Sequence, residues 1–158
     1  GLLEMQAIIE NPNDQEFSLL LKVRDYECDM QGIVNNSVYM NYLEHARHEY
    51  LDSIGLNFKK LTDDGVYLIA IKAELDYKKS LTPGEHFVVT CRLLPESRFK
   101  IKFLQEIYNE RKEKVLTGLL TAAIIDENKK PILIENLINM VLPAFRKLFI
   151  QNNKNTAE

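Results

Sequence analysis

With 158 residues and 46% hydrophobic content, the chain is long enough for one ordinary core and short for two, so a single domain over 1–158 is expected. Twenty basic against 23 acidic residues leave a formal charge of -3, which excludes the broad positive field that non-specific DNA or RNA binding needs. The two cysteines, Cys28 and Cys91, make neither a disulfide framework nor a metal-ligand spacing, and no apolar run reaches the roughly 20 residues that cross a bilayer.

The first residues show no charged n-region followed by an apolar h-region, so the expected location is cytoplasmic. Gly1 stands where Met is expected, and the extreme N-terminus is set aside as processed or as a remnant. From Phe17 to Arg24 the residues Phe17, Leu19, Leu21 and Val23 alternate with mostly polar neighbours, the period of a strand with one buried face. Between about Asn36 and Ile54 the period changes. Tyr39, Leu43, Ala46, Tyr50 and Ile54 recur at three- and four-residue steps, which predicts a long amphipathic helix ended by Gly55.

Four more strands are predicted over Val66–Tyr77, Phe87–Leu94, Phe99–Tyr108 and Val115–Ile125. The turn chemistry between them lies at Thr82-Pro83-Gly84, Pro95-Glu96-Ser97 and Asn109 to Lys112, and such short connections favour antiparallel neighbours. The core is expected over about 17–126, with a short C-terminal extension over 127–158 in which Pro143 opens a terminal helix.

The densest chemistry lies between the first strand and the long helix, in Tyr26-Glu27-Cys28-Asp29-Met30-Gln31-Gly32-Ile33-Val34-Asn35-Asn36. It combines a carboxylate at Asp29, a glycine suited to a tight turn at Gly32, and a helix start whose N–H groups can hold a carbonyl oxygen. Hydrolysis of a thioester needs such parts. By itself an aspartate here most often caps a turn or helix. His45 and His48 lie three apart on the polar side of the helix with no third ligand, so no metal is expected. Basic pairs fall at Lys78-Lys79, at Arg98 with Lys100, and at Lys129-Lys130.

The order of strand, long helix and four strands, with Asp29-Met30-Gln31-Gly32-Ile33-Val34-Asn35-Asn36, then Tyr39, Glu44 and Arg47, then Ala73-Glu74-Leu75-Asp76-Tyr77 with Leu81 and Gly84, and finally Ser97-Arg98, resembles the 4-hydroxybenzoyl-CoA thioesterase-like family. The resemblance implies an α+β hot-dog fold, a curved antiparallel sheet of five or six strands wrapped around one long central helix. It implies hydrolysis of an acyl-CoA or an acyl-carrier protein to a carboxylic acid and a free thiol, in fatty acid metabolism, with no cofactor beyond the coenzyme A or phosphopantetheine of the substrate. Asp29 matches the family's catalytic carboxylate, nucleophile or general base, and the backbone amide of Asn36 its oxyanion donor. Gly32, Val34, Asn35, Ser97, Arg98 and Lys100 match substrate-binding positions, the last three near the coenzyme A phosphates. Glu44 is a reserve base, since a helix Glu three residues before Arg47 more often makes an ion pair. The branch tied to the Tol-Pal envelope system carries histidine in place of Asn36 and tyrosine in place of Asp25, and the chain is not assigned to it.

Open sheet edges imply a homodimer, or a homotetramer as its doubled form, without nucleic acid or membrane insertion. Two alternatives stay open. A hot-dog enoyl-thioester hydratase or dehydratase would pair a histidine with the acid, and none adjoins Asp29. A non-catalytic acyl-thioester binding module would hold its ligand intact, and no helix-turn-helix segment precedes the first strand to make it a regulator.

Overall fold

In strand β4, Lys100–Asn109, every second residue from Ile101 to Asn109 is buried while its neighbours are partly exposed, the pleat of a sheet with one face on a core. Strand β5, Lys114–Asp126, does the same from Leu116 to Ile124. In the computed structural model, residues 16–53 and 58–139 are described. Besides these two strands they form β1 (Phe17–Lys22), a 3-10 turn (Asp25–Glu27), helix α1 (Asn36–Ser53), helix α2 (Phe58–Asp63), β2 (Val66–Tyr77), β3 (His86–Ser97) and helix α3 (Ile134–Asn139). The five strands make one antiparallel sheet in the order β1-β3-β4-β5-β2, with Phe17 opposite Cys91 and Lys22 opposite His86.

The long helix and the five strands stand where the periodicity predicts them; three details differ. The turn predicted at Pro95-Glu96-Ser97 lies instead at Arg98-Phe99, and β3 runs through the proline. Pairing with β1 stops at Cys91, so the N–H that Pro95 lacks is not required by that neighbour. Second, β2 and β3 are not neighbours despite the short connection: β2 lies at the far edge beside β5. Third, helices α2 and α3 were too short to leave a period in the sequence. Ile54, Gly55 and Pro143 lie outside the described residues.

The chain divides into two units. The first takes described residues 16–47 together with Leu75–Arg92 and Gln105–Gly118. Its core gathers Tyr39, Tyr42, Leu43 and Ala46 of α1 with Val34, Leu81, Phe87, Val89, Ile107, Val115 and Leu116. Arg47 turns inward, where burial lowers its pKa, and donates from Nη1 to Gln105 Oε1 at 2.9 Å. Gln105 Nε2 in turn donates to the Leu43 carbonyl at 3.0 Å, so the buried amide is used at both ends. The second unit takes His48–Glu74, Leu93–Leu104 and the residues from Leu119 onward. It buries Leu51, Leu61, Val66, Leu93, Ile101, Phe103, Ile124 and Leu137. Its last described segment is tied back by Ile132 N–H to the Ile124 carbonyl and by Ile134 N–H to the Arg98 carbonyl.

Within the first unit, the helix approaches the sheet closely over Gly118. A Cβ there would meet Leu43 Cδ1 at 2.9 Å and Leu75 Cδ2 at 3.2 Å. Gly118→Val is therefore expected to lower stability in urea by about 1–3 kcal/mol through overpacking; an unchanged or raised midpoint would show that the two leucines yield without cost.

Candidate active site

The segment between β1 and α1 folds back on itself as a small closed loop. Cys28 and Val34 form an isolated antiparallel bridge. Around it Asp29 N–H donates to the Ile33 carbonyl at 2.9 Å, Gly32 N–H to the Asp29 carbonyl at 3.0 Å, and Asn35 N–H to the Glu27 carbonyl at 3.0 Å. Gly32 closes the turn at φ 76°, a left-handed conformation that a side chain resists. Asp29 is exposed, and its Oδ1 accepts the Gln31 N–H at 2.8 Å. The carboxylate thus does order a turn, but it is Asn35 that caps the helix.

Asn35 Oδ1 accepts both the N–H and the hydroxyl of Ser37 at 3.2 Å, and its carbonyl takes the Val38 N–H at 2.9 Å. Those bonds occupy the second and third N–H groups of the helix. The N–H of Asn36 has no acceptor among the described residues, and it stands at the positive end of a helix of 18 residues. It is a donor left available to an incoming oxygen.

Two contacts fasten this loop to the first unit's core. Val34 N–H donates to the Leu81 carbonyl at 2.9 Å, and Leu81 N–H donates to the Tyr39 hydroxyl at 3.0 Å. Tyr39 also meets Tyr77 edge-on, with ring centroids 5.6 Å apart. Burial pushes the Tyr39 hydroxyl above its ordinary pKa, so it stays protonated at neutral pH. The Cys28 thiol is pushed up as well, by desolvation first and then by the charges of Glu27, Asp25 and Asp29. Held as a thiol, Cys28 is a poor nucleophile beside a carboxylate.

Asp29, Gly32, Val34, Asn35 and Asn36 are therefore brought together on one loop. Glu44 is exposed on the helix and acts on Arg47 through its charge, while the Arg47 guanidinium also bonds inward to Gln105. Ser97, Arg98 and Lys100 belong to the second unit, exposed around the β3–β4 turn, where the Arg98 guanidinium lies 5.7 Å from the centre of the Phe99 ring. Of the other basic pairs, Lys78 is engaged by Asp76 at 2.7 Å and Lys79 by Glu113. The His48 ring meets Phe58 at a tilt of 54°, with centroids 4.4 Å apart. His45 instead borders a cleft of about 830 Å³ in the first unit, lined also by Arg24, Glu27, Asn41 and Tyr42. Asp29 and Asn36 do not line that cleft. Sequence reasoning missed Tyr39, Tyr42 and Glu27 as supports of the loop, because their partners are remote in the chain.

This fold and this loop define a class. Residues 23–145 match the family model of the thioesterase-like superfamily, and the chain belongs to that superfamily. An acyl-acyl carrier protein thioesterase of Arabidopsis thaliana, chloroplastic, is 39% identical over 112 residues, covering 70% of this chain and 60% of the relative. A second chloroplastic thioesterase of that name from the same plant is 37% identical over 119 residues, 75% of this chain and 63% of the relative. The chain thus spans about three fifths of the length of these curated relatives. Among solved structures, a DHNA-CoA thioesterase from Staphylococcus aureus shares the hot-dog fold at TM-score 0.77, with 24% identity over 90% of this chain and 95% of that one.

The cap gives a measurable consequence. Asn35→Ala should cost about 1 kcal/mol of stability in chemical denaturation, with Asn35→Asp largely restoring it; loss of stability in neither variant would mean that the helix start is held by other groups.

Proposed function

We propose that the protein hydrolyses acyl thioesters of coenzyme A or a carrier protein, giving a carboxylic acid and a free thiol. The observation that carries this reading is the loop itself, which presents an exposed carboxylate at Asp29 and, seven residues on, a helix-start amide at Asn36 that no described residue occupies. Asp29 attacks the thioester carbonyl or takes the proton from a water that does so. As negative charge gathers on the carbonyl oxygen, the Asn36 N–H stabilises it, a donor of the kind worth about 3 kcal/mol in the transition state. Gly32, Val34 and Asn35 border the reacting group. Membership of the superfamily and the names of the relatives support the reaction class.

The working form is a homodimer. β2 is an edge strand, and its apolar Ile69 and Ile71 are 43% and 50% exposed, an edge that a soluble monomer ordinarily blunts with charge or proline. A second copy pairing along β2 removes that edge. The free Cys28 and Cys91 suit a reducing compartment, the cytoplasm being the simplest. Among the described residues no helix is long and apolar enough to cross a membrane.

Asp29→Asn is expected to lower thiol release from a panel of short, medium, long and aromatic acyl thioesters by about a hundredfold or more, with the thermal midpoint unchanged. Full turnover by that variant would refute the assignment, and water addition to an enoyl thioester without thiol release would favour a hydratase. For the dimer, light scattering after gel filtration should give twice the chain mass, and Ile71→Lys should shift it toward one; a wild-type monomer would count against the edge pairing.

A further inference from the structure

Glu27 lies two residues before Asp29, yet its side chain is spent on a different task. Its Oε1 accepts the Arg24 N–H at 2.7 Å and the Tyr42 hydroxyl at 2.9 Å, while its carbonyl accepts the Asn35 N–H. One residue therefore joins the end of the β1 connection, the interior of helix α1 and the residue that caps that helix. Tyr42 has little freedom to follow the loop if it shifts. It is 6% exposed, and its ring packs against Phe87 with centroids 4.6 Å apart and edge-on to Tyr39 at 6.0 Å.

A hydrogen bond from a fixed phenol to a carboxylate is charge-assisted and correspondingly strong. Burial and that bond to Glu27 hold the Tyr42 hydroxyl well above the usual phenol range, so it remains a donor through neutral pH. The Asp29 loop has bonds of its own, but they close it on itself and leave its tilt against the helix to be set from its base. Val34 is held at one side by Leu81, and Glu27 at the other by Tyr42.

We propose that Glu27, anchored by the Tyr42 hydroxyl, is the positioning residue of this site, setting the angle at which the Asp29 loop presents its carboxylate opposite the Asn36 amide. The inference rests on the hydrolase reading of Asp29. Glu27 touches neither substrate nor the reacting atoms in this account; it acts through the loop.

The test uses the full chain with Glu27→Ala, Glu27→Gln, Tyr42→Phe and the Glu27→Ala/Tyr42→Phe pair. Because a misplacement near 1 Å can cost about a hundredfold, Glu27→Ala and Tyr42→Phe should each lower kcat by about 10- to 100-fold with KM within about twofold. Glu27→Gln, whose amide oxygen still accepts both bonds, should stay within about threefold of wild type, and the double variant should be no slower than the slower single one. In parallel, the amide protons of Asp29, Gly32 and Asn35 should exchange about tenfold faster in the Ala and Phe variants while those of β4 and β5 keep their rates. Wild-type kcat together with wild-type loop exchange would overturn the proposal. So would a fall in kcat matched by faster exchange throughout the strands, the signature of a merely structural role. Should the wild-type chain release no thiol at all, the hydrolase reading fails, and the loop exchange rates still decide whether Glu27 and Tyr42 hold the loop.

Discussion

The backbone of Leu81 accepts the N–H of Val34 and gives its own N–H to the hydroxyl of Tyr39, and the residue is fully buried between them. A buried peptide left without those partners would cost on the order of 1–3 kcal/mol per group, so the arrangement is strongly preferred over any in which the loop lifts away. What puts the peptide there is the side chain. Leu81 is the one large apolar residue between Tyr77 and Phe87, and burying it is worth roughly 2 kcal/mol. On one side Lys78 and Lys79 both donate N–H to the Val115 carbonyl; on the other Gly84 N–H meets the Val23 carbonyl. The connection that carries β2 to the far edge of the sheet thus doubles as the seat for the loop before the helix.

From that seat the chemistry follows by position. The loop is closed by its own backbone bonds, so the Asp29 carboxylate is displayed rather than buried. Asn35 consumes the helix-start donors next to it, and among the described residues the Asn36 amide is left unspent. A carboxylate in bulk water and an amide at an open surface do little catalysis, because oxyanion stabilisation gains its strength where water is excluded. Strength of that kind requires a cover over the loop, and Met30, wholly exposed there, is a residue that such a cover would bury.

Periodicity alone was enough to expect one long helix and five strands, because each has a buried face whose repeat is printed in the residues. The same residues could not tell where β2 sits. Its connection to β3, residues 78–85, carries no mark of a crossover, and only the strand order of the folded sheet shows that it leads to another edge. Pro95 misled for a related reason: proline ends strands that need its N–H, and β3 beyond Cys91 does not need it for pairing with β1. At the site, the block from Asp29 to Asn36 was legible as a block, since turn glycine, cap residue and helix start are local. Its supports were not. Tyr42 reads as one more core aromatic and Glu27 as one more loop acid, and the bond between them spans 15 residues of sequence. Arg47 likewise reads as a surface partner of Glu44, and its further bond to Gln105, 58 residues away, is visible only in the fold.

The most direct measurement is a crystal structure of the chain with an acyl-CoA analogue in which a methylene replaces the thioester sulfur, so that the carbonyl survives. The analogue's carbonyl oxygen is expected about 3 Å from the Asn36 amide nitrogen, with an Asp29 oxygen within roughly 3.5 Å of the carbonyl carbon on the opposite side. An analogue bound with its carbonyl remote from both groups, and Asp29 still facing only water, would contradict the hydrolase reading.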